Sequence, residues 1–184
     1  MVKTIPLYFP EVLLIKTQTF RDDRGFFRET FRKKDFPDLP EFVQENHSYS
    51  KYGVLRGLHY QKSPKQIGKL IRCVSGDIYD VVVDIRRSSD TYKQWVGHNL
   101  GGRSGEMIYV PPGFAHGFVV LSEEANIIYS VTDYYSSEHD CNIKYNDPDL
   151  GIDWVIKDKY IKTSEKDTHA RSLLMSIPIE EENE

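Results

Sequence analysis

One stretch of this chain sets ionisable side chains among apolar ones: Gly53-Val54-Leu55-Arg56-Gly57-Leu58-His59-Tyr60-Gln61. It reads as a short strand interrupted by a glycine. Burying a guanidinium and an imidazole costs several kcal/mol unless each has a partner. An imidazole titrates near neutral pH, which makes His59 a candidate general base. For a lone histidine, a core residue with satisfied hydrogen bonds is the commoner role. Strict alternation sends Arg56 and His59 to opposite faces of a strand. Gly57 lies between them, and a bulge there would bring both into one pocket, so a bulge or kink is predicted at Gly57.

The other residues with chemical potential form no metal or redox motif. Cys73 and Cys141 match no zinc or disulfide-exchange spacing and read as reduced thiols. The six histidines are His47, His59, His98, His116, His139 and His169, and no two stand two residues apart on a strand. A metal-dependent cupin would use such a pair; a site built from His47, His59 and His116 is the nearest the sequence comes to one.

The elements that must position these groups are short strands. Val12–Phe20, Phe42–His47, the stretch above, Lys69–Val74, Ile78–Arg86, Gln94–Leu100, Met107–Val110, Phe114–Leu121 and Ala125–Tyr135 read as strands, bounded by Gly, Pro and Asp turns. Ile78–Arg86 alternates cleanly, with Val81, Val83 and Ile85 on one face and Asp80, Val82, Asp84 and Arg86 on the other, polar one. Lys33–Leu39 suggests one helical turn, and the chain beyond Tyr145 is irregular with a short helix near the end. About ten short strands predict an all-β fold, a cupin-like jelly-roll sandwich with short peripheral helices.

At 184 residues the chain reads as one domain, 1–184, with an acidic tail at 180–184 expected to fray. A net charge of -4 argues against a nucleic-acid partner, which calls for an excess of Lys and Arg on one face. No stretch approaches the roughly 18 apolar residues of a membrane span, and no leader pattern opens the chain, so a cytoplasmic protein is expected. Aromatic residues make up 12% of the chain, 12 Tyr and 9 Phe among them, which suits strands and a pocket for a ring-shaped ligand.

Val54–Gln61 resembles the dTDP-4-dehydrorhamnose 3,5-epimerase family. Further blocks carry the resemblance in family order: Asp23-Arg24-Gly25-Phe26-Phe27 with Glu29, Gln44-Glu45-Asn46-His47-Ser48, Gly68-Lys69-Leu70, Asp80 to Arg86, and Pro112-Gly113-Phe114-Ala115-His116-Gly117-Phe118. Tyr129 with Tyr134-Tyr135, Asn146-Asp147-Pro148 with Gly151-Ile152-Asp153-Trp154, and Ser164-Glu165-Lys166-Asp167 complete it. The resemblance implies a cupin-like homodimer that needs no metal or cofactor. It implies inversion of C3 and C5, the carbons flanking the ketone of a dTDP-4-keto-6-deoxyhexose, on the route to dTDP-L-rhamnose and surface polysaccharide.

It also implies roles. Inversion beside a ketone requires a base, an electrophile for the oxyanion and an acid on the opposite face. His59 is the implied base, oriented by Asp167, and Tyr129 the implied acid. Lys69 and Arg56 are the implied electrophiles. Arg24, Glu29, Gln44, Glu45, Asn46, His116 and Lys166 resemble positions that hold the nucleotide sugar, some of them in a partner subunit. Phe26 or Tyr135 would stack on the thymine. Asp80 is a candidate support for a neighbouring side chain. Where family members carry Glu after the paired tyrosines this chain has Asp140, or Glu138 if the loop is shortened. A one-residue insertion lies between Trp154 and Asp167. Two rivals remain open: an enzyme that inverts one carbon or isomerises the same ketone, and a sugar-binding jelly roll without catalysis.

Overall fold

The computed structural model describes residues 2–176, so the acidic segment 180–184 lies outside the described residues. Thirteen strands, numbered along the chain, occur among them. Six form one sheet in the order β1 (Lys3–Pro6), β2 (Leu13–Lys16), β10 (Glu106–Val110), β7 (Lys69–Ser75), β12 (Glu124–Val131) and β5 (Gln44–Lys51). Five form a second sheet in the order β13 (Asp140–Asn142), β6 (Leu55–Gln61), β11 (Phe114–Val120), β8 (Asp77–Asp84) and β9 (Trp95–Gly101). β3 (Thr19–Asp22) and β4 (Gly25–Arg28) make a separate hairpin. The two large sheets stack as the expected jelly-roll sandwich.

The interior follows from alternation. Leu14, Ile71, Ile108 and Ile127 of the first sheet meet Ile78, Val82, Phe114 and Phe118 of the second. Outside the second sheet, Leu55, Leu58, Val81, Val83 and Val119 pack under Ile143, Leu150, Trp154 and Leu173 of the irregular C-terminal third. Phe36 and Leu39 cover part of the first sheet's outer face at Ile15, Leu70 and Met107.

Several local expectations change. β8 has no solvent-facing side, because the C-terminal third covers one face and the first sheet the other. Asp80 and Asp84 are therefore buried and paired, Asp84 with Arg86 at 2.8 Å and with the Ser89 and Thr91 hydroxyls at 2.7 and 2.6 Å. β12 ends at Val131, short of Tyr135. Asp133 accepts a bond from the Tyr134 amide at 2.7 Å and pairs with Lys65 at 3.1 Å, which turns the chain out of the ladder and puts both tyrosines in a loop. The helical turn near residue 33 is a 3₁₀ turn over Lys33–Asp35. β1 and β13 were not anticipated, since four and three residues are too few to show a period.

The bulge at Gly57 is present. His59 stands opposite His116 and Arg56 opposite Phe118, so Gly57 and Leu58 together face Gly117 alone. The extra residue resets the alternation: Leu55 and Leu58 face outward, while Arg56 and His59 both face the space between the sheets. Gly57 has φ +149°, and a Cβ there would sit 2.6 Å from the Gly117 Cα. Gly57→Ala is expected to cost roughly 2–5 kcal/mol from left-handed strain plus overpacking, seen as a lower melting temperature, with activity falling further as His59 is displaced. An unchanged melt would remove this account of the glycine.

Candidate active site

A cleft opens between the sheets at one end of the sandwich. Its outer chamber, about 390 Å³, is lined by Gln44 and Asn46 of β5, His59, Lys69, Tyr129 and, from the following loops and β13, Tyr135, Asp140 and Lys166. An inner chamber of about 150 Å³ continues from His59, Lys69 and Tyr129 to Ser48, Arg56, His116 and Phe118. The imidazole, the ammonium and the phenol border both chambers, so a ligand spanning the two would meet all three. A separate pocket beside the β3–β4 hairpin, lined by Phe26, Arg28, Arg72 and Ile128 among others, contains neither His59 nor His116.

His59 is held from behind. Its Nε2 lies 2.6 Å from Asp167 Oδ1, with the imidazole partly open and the carboxylate 3% exposed. Burial works against ionising Asp167, but the His59 hydrogen bond and charge, Ser164 Oγ and the Gly57 amide outweigh it and hold the carboxyl below its usual range. An ionised Asp167 takes the Nε2 proton as its hydrogen-bond partner and leaves Nδ1 as the unprotonated nitrogen of the neutral ring. Asp167 belongs to α1 (Glu165–Thr168), a single turn whose start Ser164 caps by accepting from the Asp167 amide at 3.1 Å.

Lys69 opens β7 with its side chain buried at the edge of the cleft, and Nζ donates to the His59 carbonyl at 3.0 Å. Burial pushes its ammonium down to about 8, although the Asp140 and Asp80 carboxylates partly offset this. Tyr129, at the middle of β12, is pushed up by burial despite the nearby Arg56 guanidinium. It therefore stays a phenol at neutral pH and has a proton to give. Arg56 donates to Ser50 Oγ at 3.0 Å. His116 Nε2 lies 2.7 Å from Asp80 Oδ2, a second, deeper imidazole–carboxylate pair.

The mouth of the cleft is a polar network. Tyr135 Oη donates to Asp140 Oδ2 at 2.8 Å, and Lys166 Nζ forms a close ion pair with the same oxygen. Gln44 accepts from the Tyr135 amide at 3.2 Å and donates to Asn46 Oδ1 at 2.9 Å. Asp140 lines the cleft, whereas Glu138 is exposed. Not every expected residue is brought here. Glu45 alternates with Gln44 and Asn46 and points outward, accepting from Ser130 Oγ at 3.2 Å. Arg24 pairs with Asp22 inside the exposed hairpin, Glu29 pairs with Arg32 at 2.9 Å, and Phe26 is exposed. Gln61, Ser48 and Asn142 were missed. Gln61 accepts from the Ser136 amide at 2.8 Å and ties down the loop carrying Tyr135; in the sequence it is one polar residue at a strand end. Among the described residues no group of three or more His, Cys, Asp or Glu side chains is placed to hold a metal ion.

A histidine backed by a buried carboxylate, facing a phenol and an ammonium across one sugar-sized cleft of a jelly roll, defines an acid–base enzyme of the cupin type. The sequence profile described as dTDP-4-dehydrorhamnose 3,5-epimerase matches residues 6–174. The chain belongs to the dTDP-4-dehydrorhamnose 3,5-epimerase family. It is 46% identical to the Pseudomonas aeruginosa dTDP-4-dehydrorhamnose 3,5-epimerase, over 93% of this chain and 96% of that one. A Legionella pneumophila epimerase solved with dTDP-4-keto-L-rhamnose superposes with a TM-score of 0.89 at 41% identity, covering 95% and 94% of the two chains. A 3'-monoepimerase from Streptomyces bikiniensis solved with dTDP-quinovose gives a TM-score of 0.83 at 30% identity, covering 92% and 87%.

Proposed function

We propose that this enzyme inverts C3 and C5 of dTDP-4-dehydro-6-deoxy-D-glucose to give dTDP-4-dehydro-L-rhamnose, in the cytoplasm, as a step toward dTDP-L-rhamnose. The observation that carries this is the single cleft bordered by His59, Lys69 and Tyr129, with Asp167 2.6 Å behind the imidazole. His59 Nδ1 takes the proton from the carbon beside the ketone. The C–H electrons form a C=C bond and the ketone oxygen becomes an enolate oxyanion. The buried Lys69 ammonium and the more exposed Arg56 guanidinium stabilise that charge. Tyr129 then gives its phenolic proton to the opposite face, and the configuration inverts. Solvent takes the proton from the His59 imidazolium and returns one to the Tyr129 phenolate, and the second carbon then repeats the cycle.

Gln44, Asn46, Tyr135, Asp140 and Lys166 form the nucleotide end. Arg24, Phe26 and Glu29 reach the cleft of a second copy, with the hairpin's exposed Phe20, Phe26 and Phe27 covered in the homodimer. A single-chain mass in sedimentation would remove that part of the reading.

The test is proton exchange. Incubation with the 4-keto-6-deoxy substrate in D₂O, followed by NMR, is expected to label both C3 and C5. Label at one carbon makes this a monoepimerase; no label from folded protein ends the enzymatic reading in favour of a sugar-binding one. In Tyr129→Phe, inversion is expected to fall about 10²–10³-fold while exchange with retention continues at the His59 face. Equal loss of both would show that Tyr129 is not the second-face acid.

A further inference from the structure

We infer that Asn142 is a positioning residue for the His59–Asp167 pair, an inference that rests on the acid–base reading above. Asp167 sits in α1, and a four-residue turn cannot hold its own geometry in water. Ser164 fastens the turn at its start. The Gly57 amide bonds to the Asp167 carboxylate, and backbone bridges at Lys162 and Arg171 tie down the flanks of the turn. A further fastening comes from β13. Asn142 Nδ2 donates to the backbone carbonyl of Lys166 at 2.9 Å, one residue before Asp167. Asp140, two residues earlier and so on the same side of the strand, holds the Lys166 ammonium.

Asn142 is also the direct cross-strand neighbour of His59 in the β13–β6 ladder. The contacts close a circuit: His59 to Asn142 through the ladder, Asn142 to the Lys166 carbonyl, onward one residue to Asp167, and back to His59 at 2.6 Å. Two strands and a turn that are distant in sequence are thus locked at the distance the imidazole–carboxylate bond requires. The two β13 contacts differ in kind. The Asp140 contact ends on a side-chain ammonium, which a bound diphosphate would compete for. The Asn142 contact ends on a backbone carbonyl, which no substrate group replaces. Asn142 therefore keeps the turn in place while Lys166 changes partners.

The experiment is a double-mutant cycle on the full-length enzyme, read as the exchange rate in D₂O at saturating substrate. Asn142→Ala removes the amide. Asn142→Asp keeps the shape but cannot donate to a carbonyl, and it guards against loss of packing in the alanine variant. Each is expected to lower kcat about 3–10-fold, the worth of one ordinary hydrogen bond. In an Asp167→Asn background the same changes are expected to cost less than twofold, because the group they position is gone. A residue that merely supports the fold would lower both backgrounds alike, and that result overturns the inference. So does an unchanged rate in the native background. A native enzyme that exchanges no proton overturns the acid–base reading itself and takes this inference with it, a result distinct from the other two.

Discussion

Replacing His59 by Asn lowers kcat by about 10²–10⁴-fold, the range that a positioned general base contributes. The size of the loss follows from the arrangement around the ring. Asp167 occupies Nε2, so only Nδ1 is available for the substrate proton, and among the described residues no other imidazole borders the outer chamber. His116 is not placed to stand in, because it and its Asp80 partner lie in the deeper chamber and do not border the outer one. Asp167→Asn is expected to lose a large part of the same factor by removing the charge that orients the imidazole and supports its protonated form. The two losses should not add: the double variant should be little worse than His59→Asn alone, as for residues that act as one unit. Exchange rates measured by NMR, with circular dichroism to show that the fold is retained, decide this. More than a tenth of native activity in His59→Asn would sink the assignment.

Lys69→Met is expected to lower kcat by about 10²–10³-fold, equivalent to the roughly 2.7–4 kcal/mol of one oxyanion donor. The same variant should melt at a higher temperature, since it removes an ammonium that burial disfavours. A gain in stability with loss of activity separates a catalytic effect from misfolding. The native enzyme should also show an alkaline limb. Only the protonated amine stabilises an enolate, and with the ammonium pushed down to about 8, kcat/KM should fall as pH rises through that value. Lys69→Arg carries a charge that does not titrate in this range, so whatever activity it keeps should lack the limb. In the stability profile the sign is opposite. Between about 8 and the ordinary lysine range the unfolded chain holds more protons than the folded one, so this group makes the fold more stable as pH rises. An unshifted alkaline limb in Lys69→Arg would assign the limb to another group.

The central strands were legible as runs of seven or eight mostly apolar residues between turns, as in β8, β11 and β12. The bulge was legible too: an Arg and a His that must both find partners, with a glycine between them, require a change of parity at Gly57. What the sequence could not display was closure at long range. Asp167 stands 108 residues from His59, and nothing local marks it as that ring's partner; the resemblance alone pointed there. β13 has too few residues for a pattern, so Asn142 went unnoticed. Glu45 could have been set apart by alternation, since it lies between two residues that share the opposite face. Tyr135 depended on where β12 ends, which the Asp133 carboxylate decides.

The distance along the chain between His59 and Asp167 has a consequence for synthesis. Every strand of both sheets is synthesised before residue 167 is. A nascent or truncated chain ending near residue 160 would lack both Asp167, which readies the base, and Lys166 of the cleft lining. Competence for the reaction therefore arrives late, and a protease nick between β13 and the α1 turn, followed by loss of the released end, would silence the enzyme by removing Asp167.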